Sequence, residues 1–546
     1  MMTRSIIDPV TRIEGHLRVE MEVTDGVVSD AWVSGTLFRG MELILKGRAP
    51  EDAFWVSQRI CGVCPISHGH TATMAAEAAM GASVPQGARI ARNLVEGAQF
   101  LHSHILWFYN LAALDYVNPL NALKADIADT YSLAQAAGTG VTDFGAVARR
   151  LAAFAERGQM SIFSGNWFDS PHYALPPELD LIATAHYLEA LEMQAVASTI
   201  SGIIGGKMPH IMTSVAGGTT WVPTEQNLDD VLFRFMQLRD WIAGTMVPDT
   251  LAIAPFYTAA LEWGAGVGNF LAWGVFDDES FDPVKRYLPP GITRGLKLEE
   301  VDAQKIVEYV DRSFYEKNAG LHPTKGVTKP IAPDYDIEKA YTWSKAPRYD
   351  GLPMEVGGLA RLIVAYLRGV PRVKELIDGT LKALGAEGKP EVLISTLGRT
   401  AGRNLEALYV AELMIEQVTE LIERIKGGDA KLHEPYEIKD GVGTGMWEAP
   451  RGALLHSTDV KGGKIDNYQC IVPSTWNVSP RDGEGVRGPM EEALIGVPVD
   501  DVEKPLNALR TVHSFDPCVA CAVHVIEPKS GKECEMLYSP HGRGVM

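Results

Sequence analysis

The 546 residues are 46% hydrophobic and 22% charged, with a formal net charge of −19, the composition of a folded globular chain and not of a disordered one. The acidic balance, with no basic stripe, excludes the phosphates of nucleic acid as a natural partner; six cysteines in so long a chain exclude a disulfide scaffold. No window supplies ~20 uninterrupted apolar residues for a membrane span and Met1 to Pro9 has no apolar signal core, so any membrane attachment is expected through another subunit.

Along the chain, His16 to Val23 alternates, with Leu17, Val19, Met21 and Val23 apolar, and Val27 to Val33 follows Asp25-Gly26. This predicts a β-hairpin closed by a glycine turn. From Pro85 onward Ile90, Leu94, Ala98, Leu101, Ile105, Phe108 and Ala112 recur at spacings of three and four, a long amphipathic helix with a wide buried face. Leu179 to Ile204 and Leu228 to Met246 give two more helical windows. In a fourth, Asn404 is the expected N-cap, Leu408 to Ile425 the apolar stripe, and Gly427-Gly428 the stop. Residues from about 130 to 180 and from about 276 to 350 read as elaborations, since no linker bounds them. Glu448 to His524, punctuated by Pro and Gly, reads as a loop-rich wall around a site. The expected fold is α+β and predominantly helical, a long-helix bundle core with small peripheral β-sheets. It forms one unit over residues 1–524.

Two stretches carry the chemistry: Arg59-Ile60-Cys61-Gly62-Val63-Cys64-Pro65-Ile66-Ser67-His68, and Ser514-Phe515-Asp516-Pro517-Cys518-Val519-Ala520-Cys521-Ala522-Val523-His524. Each holds a Cys-x-x-Cys, the spacing at which one tight turn aims two sulfurs at a single metal. More than four hundred residues separate the pairs, so only a folded core brings the four sulfurs together. Four thiolates suit zinc, nickel, copper(I) or iron in a cluster. From the cysteines alone a structural zinc site, a reactive dithiol and a catalytic redox metal all stay open. Zinc is the weaker reading for a chain of this size, because a large core needs no metal staple.

Further motifs stand in order along the chain: Arg12-Ile13-Glu14-Gly15-His16, Phe38-Arg39-Gly40-Met41-Glu42, Gly205-Gly206-Lys207-Met208-Pro209-His210, Ala449-Pro450-Arg451-Gly452, and Asn467 to Asn477. With the two cysteine stretches they resemble the nickel–iron hydrogenase large (catalytic) subunit, from residue 12 to residue 524. The resemblance implies heterolytic splitting and oxidation of dihydrogen at a nickel–iron centre whose iron carries carbon monoxide and two cyanides. It implies Cys61 and Cys518 as terminal nickel ligands, and Cys64 and Cys521 as bridges to iron. It further implies Glu14 as the carboxylate that relays protons from a terminal sulfur, Arg451 as a guanidinium over the metals, and Asp516 as a carboxylate beside them. By the same resemblance Ser474, with the backbone at Pro450 and Pro473, would hydrogen-bond the cyanides, and His68 a bridging sulfur. Magnesium is implied at Glu42, the backbone carbonyl of Cys470, and His524. The bland readings are a solvated Glu14 or Glu42, a surface Arg451 in a Pro-Gly turn, a capped loop His68 and an inert Cys470 thiol.

One departure is visible. Many relatives read His-Asp-His where this chain has His102-Ser103-His104. Either Ser103 makes a weaker contact to the arginine, or another carboxylate such as Asp115 compensates. The resemblance also implies that Val525 to Met546 is a C-terminal extension removed by a maturation endopeptidase after metal-insertion factors have acted, which takes Cys534 with it. With no cysteines left for clusters, electrons are expected to leave through an iron–sulfur small subunit, in an obligate heterodimer, to a membrane cytochrome or other acceptor. A periplasmic face is favoured. The competing function is a dihydrogen sensor of low turnover.

Overall fold

The computed structural model describes residues 2–519; Cys521, His524 and the 525–546 extension lie outside them. Strands β1 (Met2–Ile7), β2 (Leu17–Thr24) and β3 (Val27–Gly35) form an antiparallel sheet in that order. Thr24 pairs with Val27, leaving Asp25 (φ 53°) and Gly26 (φ 80°) as the two-residue turn. Positive φ at both positions matches the strand twist, which is why Asp-Gly closes the hairpin. The alternation that predicted it puts Leu17, Val19, Met21 and Val23 in one apolar cluster with Leu509, Val512, Phe515 and Val519. Burial of the first hairpin is thus what draws the N-terminal sheet and the segment Leu509 to Val519 together.

Helix α1 (Met41–Leu45) is followed by α2 (Pro65–Met80), which starts directly after Cys64 with Pro65 in its first turn, where a missing N–H costs nothing. The predicted helix after Pro85 runs as α3 (Gln86–Ile105), loosens into a π-turn over Leu106–Ala112, and ends in a 3-10 turn, Ala113–Asp115. Helices α4 (Pro177–Gly205), α5 (Glu225–Trp241), α6 (Gly358–Leu367) and α7 (Thr396–Gly427) follow. Leu94 and Phe100 of α3, Ile200 of α4, Phe235 of α5, Ile363 of α6 and Met414 of α7 belong to one buried cluster. Each such side chain contributes roughly 1.5–3 kcal/mol on burial.

Two expectations are corrected. Helix α7 begins eight residues before Asn404, capped by Ser395, whose Oγ accepts the Gly398 N–H at 3.1 Å. Asn404 lies inside the helix and donates to Thr250 Oγ1 at 2.5 Å. Gly398 and Gly402 obscure the periodicity of the first turns. Of residues 448–524, the described part to residue 519 is not mainly loop: β4 (Gly441–Ala449), β5 (Gly452–Lys461) and β6 (Lys464–Ile471) make an antiparallel sheet, followed by α8 (Pro473–Asn477) and α9 (Leu506–Ser514). Just upstream, the glycines of β4 are contact positions. A Cβ at Gly441, Gly443 or Gly445 would lie 2.1–2.4 Å from the carbonyl oxygens of Ala79, Ala75 and Thr71, so only glycine lets β4 lie directly on α2. Among the described residues no helix is long and apolar enough to cross a membrane.

Candidate metal centre

Cys61 follows a 3-10 turn at Gln58–Ile60, Cys64 caps α2, and Cys518 follows α9 after a short loop. Their three ligand atoms lie within 4.8 Å of one another, all buried; Cys61 Sγ and Cys518 Sγ are 3.2 Å apart. The backbone N–H groups of Val63 and Cys64 donate to Cys61 Sγ at 3.2 and 3.3 Å. A soft, preformed three-sulfur cluster fits nickel, iron or zinc by donor type. The predicted fourth ligand, Cys521, lies outside the described residues.

The N-terminal segment runs beside the Cys518 segment as a parallel bridge of Glu14 with Cys518. The Glu14 N–H donates to Pro517 O at 3.3 Å and its carbonyl accepts the Val519 N–H at 2.7 Å. That places Glu14 Oε2 3.2 Å from Cys518 Sγ. Burial, then the negative charge at Cys61, pushes this carboxyl up to about 7; it is neither a surface charge nor a helix cap.

Arg451 occupies the two-residue turn Pro450-Arg451 between β4 and β5, where Ala449 pairs with Gly452. A Pro-Gly turn is what the sequence announces, yet its guanidinium is 1% exposed. Nε donates to Asp516 O at 3.1 Å, Nη1 to Ser103 Oγ at 3.3 Å, and Nη2 sits 2.9 Å from Asp516 Oδ1. Burial opposes its charge, but Asp516 and then Cys518, Cys64 and Cys61 hold the guanidinium well above its ordinary range. Of the two options left by the His-Ser-His departure, the structure has the first: Ser103 makes the contact. Asp115 pairs with Arg12 and His513.

Ser474, in the first turn of α8 after Pro473, accepts the Cys518 N–H at 2.9 Å. His68 Nδ1 faces His456 Nε2 at 3.2 Å, and His456 Nδ1 faces the Tyr468 hydroxyl at 2.5 Å. His68 Nε2 has no hydrogen-bond partner among the described residues, and Cys521, one of the two expected bridging sulfurs, lies outside them. Burial lowers His68 to about 4 and keeps its ring neutral.

Glu42 is buried in α1. Its Oε1 accepts the Cys470 N–H at 3.0 Å and lies 3.4 Å from Lys345 Nζ; Oε2 accepts from the Thr328 hydroxyl. Lys345 also contacts Glu308 at 3.7 Å and Gln469 at 3.0 Å. Glu42, Glu308, Lys345 and Cys470 line a cavity of about 20 Å³, room for one water or one small ion. A carboxylate-lined niche suits a hard cation. Glu42 meets residue 470 at its N–H and, at 3.8 Å, at its Sγ, and His524 lies outside the described residues.

Sequence reasoning missed the frame behind Arg451. Arg361, a lone charge in the apolar run of α6, is fully buried. It donates to both oxygens of Glu406 at 2.6 Å, to Glu448 at 2.7 Å, and to the carbonyls of Ala449 and Pro450 at 2.9 and 2.8 Å. Glu406 also meets His104 at 2.8 Å, one residue past Ser103. The frame therefore sets both the turn that presents Arg451 and the helix position that receives it. Replacing Arg361 by methionine leaves two buried carboxylates without their cation. It is expected to cost about 3–5 kcal/mol, read as a lowered denaturant midpoint; an unchanged midpoint would contradict the assignment.

A family model described as nickel-dependent hydrogenase matches residues 39–524, and one described as HoxL-like matches residues 5–34. The uptake hydrogenase large subunit of Rhodobacter capsulatus is 39% identical over 570 residues, spanning 96% of this chain and 95% of that protein. The hydrogenase-2 large chain of Escherichia coli K12 is 38% identical over 559 residues, spanning 96% and 98%. The solved Ni-Fe-Se hydrogenase of D. vulgaris Hildenborough in the reduced state superposes with a TM-score of 0.82 at 37% identity, covering 96% of this chain and all of that one. With buried sulfurs, an acid at hydrogen-bond distance and an arginine held at the same place, the chain belongs to the nickel-dependent hydrogenase family as a large, catalytic subunit, an oxidoreductase acting on hydrogen.

Proposed function

We propose that the chain holds nickel through Cys61, Cys64, Cys518 and Cys521, with iron bridged by Cys64 and Cys521 and carrying carbon monoxide and two cyanides. On this reading it works in the direction of hydrogen uptake. The observation that carries the reading is the convergence of three buried sulfurs from residues 61, 64 and 518, with Glu14 Oε2 3.2 Å from Cys518 Sγ. When bound, the metal pair supplies the redox-active Lewis acid that polarises dihydrogen and accepts its electrons. A proton arriving at Cys518 Sγ has the Glu14 carboxylate as its first acceptor, at a distance suited to direct transfer. The backbone bridge keeps that acid from drifting off the sulfur. Arg451 offsets the negative charge of the thiolates and, with Asp516, closes this side of the cluster against water. Ser474 accepts from Cys518 N–H, leaving its own O–H to donate to a cyanide, with Pro450 and Pro473 walling the same space. His68, a neutral ring, is assigned a hydrogen bond to a bridging sulfur.

Glu42 is assigned to magnesium, with the residue 470 carbonyl and His524. Residues 1–524 form the mature unit, and an endopeptidase removes 525–546 once metal-insertion factors have acted. Electrons leave through an iron–sulfur small subunit to a membrane cytochrome or a similar acceptor, with the periplasmic side of the membrane favoured for the complex. The test is metal content, infrared absorption and hydrogen-dependent dye reduction of the purified heterodimer. Nickel, iron and metal-bound cyanide and carbon monoxide bands with steady dye reduction are expected. Zinc alone would overturn the reading, and full metal loading with negligible turnover would point to a sensor.

A further inference from the structure

The segment that carries Glu14 and the segment that carries Cys518 each pass through a left-handed, non-glycine residue two positions upstream: Arg12 at φ 56° and Asp516 at φ 50°. Such conformations are unfavourable for a side chain with a Cβ and persist only where the surroundings over-determine them. At Arg12 the surroundings converge on one carboxylate. Asp115, fully buried in the 3-10 turn that ends α3, takes Arg12 Nη2 on Oδ1 at 2.5 Å and His513 Nδ1 on Oδ2 at 2.5 Å. Asn166 adds a second donor to Oδ1 at 3.3 Å. The backbone carbonyl of Asp115 accepts Arg510 Nε and Nη2 at 3.0 and 2.8 Å. Arg12 Nη1 donates to Leu111 O on the preceding turn, and His513 Nε2 donates to Thr11 O at 2.9 Å.

The imidazole of His513 meets an oxygen at each nitrogen, Asp115 Oδ2 at Nδ1 and Thr11 O at Nε2. One ring thus ties Asp115 to the Thr11-Arg12 segment, while its own backbone lies in α9. The carbonyl of the same residue accepts the Asp516 N–H at 2.9 Å. Asp115 is therefore joined by its side chain to the approach to Glu14, and by its side chain and carbonyl to the helix that delivers Asp516, Pro517 and Cys518. Burial raises the cost of its charge, but Arg12 and His513 hold the carboxyl well below its usual range, in keeping with a paired anion.

The geometry points to Asp115 as a positioning residue for proton transfer: it sets the Glu14–Cys518 separation by clamping the two strained segments that carry them. It touches neither the sulfurs nor the substrate. This rests on the reading of Glu14 as the first proton acceptor. The consequence is specific, because proton transfer depends steeply on donor–acceptor distance and a misplacement of about 1 Å can cost on the order of 100-fold. Loss of the clamp is expected to slow the proton step while leaving metal loading and affinity for hydrogen in place.

The experiment compares Asp115→Asn with wild type in the purified, metal-loaded heterodimer. Nickel content and the cyanide and carbon monoxide infrared bands report on assembly. Hydrogen-dependent dye reduction is measured in H2O and D2O. The expected result is wild-type metal content and KM for hydrogen, kcat lowered roughly 10- to 100-fold and a larger solvent isotope effect. Normal kcat and isotope effect at full nickel occupancy would overturn the inference. Should Asp115→Asn fail to assemble, Arg12→Lys and His513→Gln each weaken one arm of the clamp and are read in the same way. A wild-type isotope effect in both, at full nickel occupancy, is equally fatal. Glu14→Gln separates the two levels. If it turns over normally, the relay reading itself fails; if it is inactive while the Asp115 variant is normal, only the clamp fails.

Discussion

Replacing Cys518 by serine is expected to remove nickel from the purified protein and to abolish hydrogen-dependent dye reduction. The substitution is close to isosteric, and the backbone contacts of residue 518, its N–H to Ser474 Oγ and its bridge with Glu14, need no sulfur. What changes is the donor. A hydroxyl is harder and far less acidic than a thiol, and nickel in a sulfur-rich site gains little from it. Cys61 loses a neighbour at 3.2 Å, so the remaining ligands cannot compensate by position. Nickel content by elemental analysis should fall to about a tenth of wild type or less, a margin consistent with losing a ligand where even supporting contacts are worth 10- to 100-fold. A nickel-loaded, active Cys518→Ser protein would remove the central assignment.

Glu14→Gln is expected to do the opposite: keep the metals and lose the reaction. Glutamine preserves length and can hydrogen-bond Cys518 Sγ, but it cannot take up and release a proton. General acid–base groups are typically worth 10²- to 10⁴-fold, so turnover should fall by roughly 100-fold or more. Nickel content and the infrared bands should stay at wild-type levels. Exchange of deuterium gas with solvent protons should slow in parallel, since the label has lost its exit. A variant that exchanges and turns over normally would show that protons leave by another group.

The pair of outcomes separates the two roles that meet at Cys518. A structural reading of the Glu14–Cys518 contact makes both variants unstable in the same way. The chemical reading makes one metal-free and the other metal-loaded but slow.

The residue types of the site were readable in the chain itself. Two Cys-x-x-Cys stretches have a local signature, because each turn is built from consecutive residues, and the alternation of the first hairpin and the three-and-four spacing after Pro85 arise from contacts made within single elements. The Pro-Gly turn at Arg451 was likewise visible, although its burial was not. Tertiary structure alone decided that the hairpin packs on α9, which brings Glu14 to Cys518 across five hundred residues. It also decided that Ser103 receives Arg451 while Asp115 serves Arg12 and His513. The frame of Arg361, Glu406 and Glu448 left only a faint trace, a lone arginine in an apolar helix, because a buried ion pair is defined by partners far apart in the chain. The glycines of β4 carried no reading in the sequence for a similar reason: only the backbone of α2 lying against them makes the missing side chains a requirement. Local periodicity is written residue by residue, whereas the placement of charges in a water-free interior is settled only when distant segments meet.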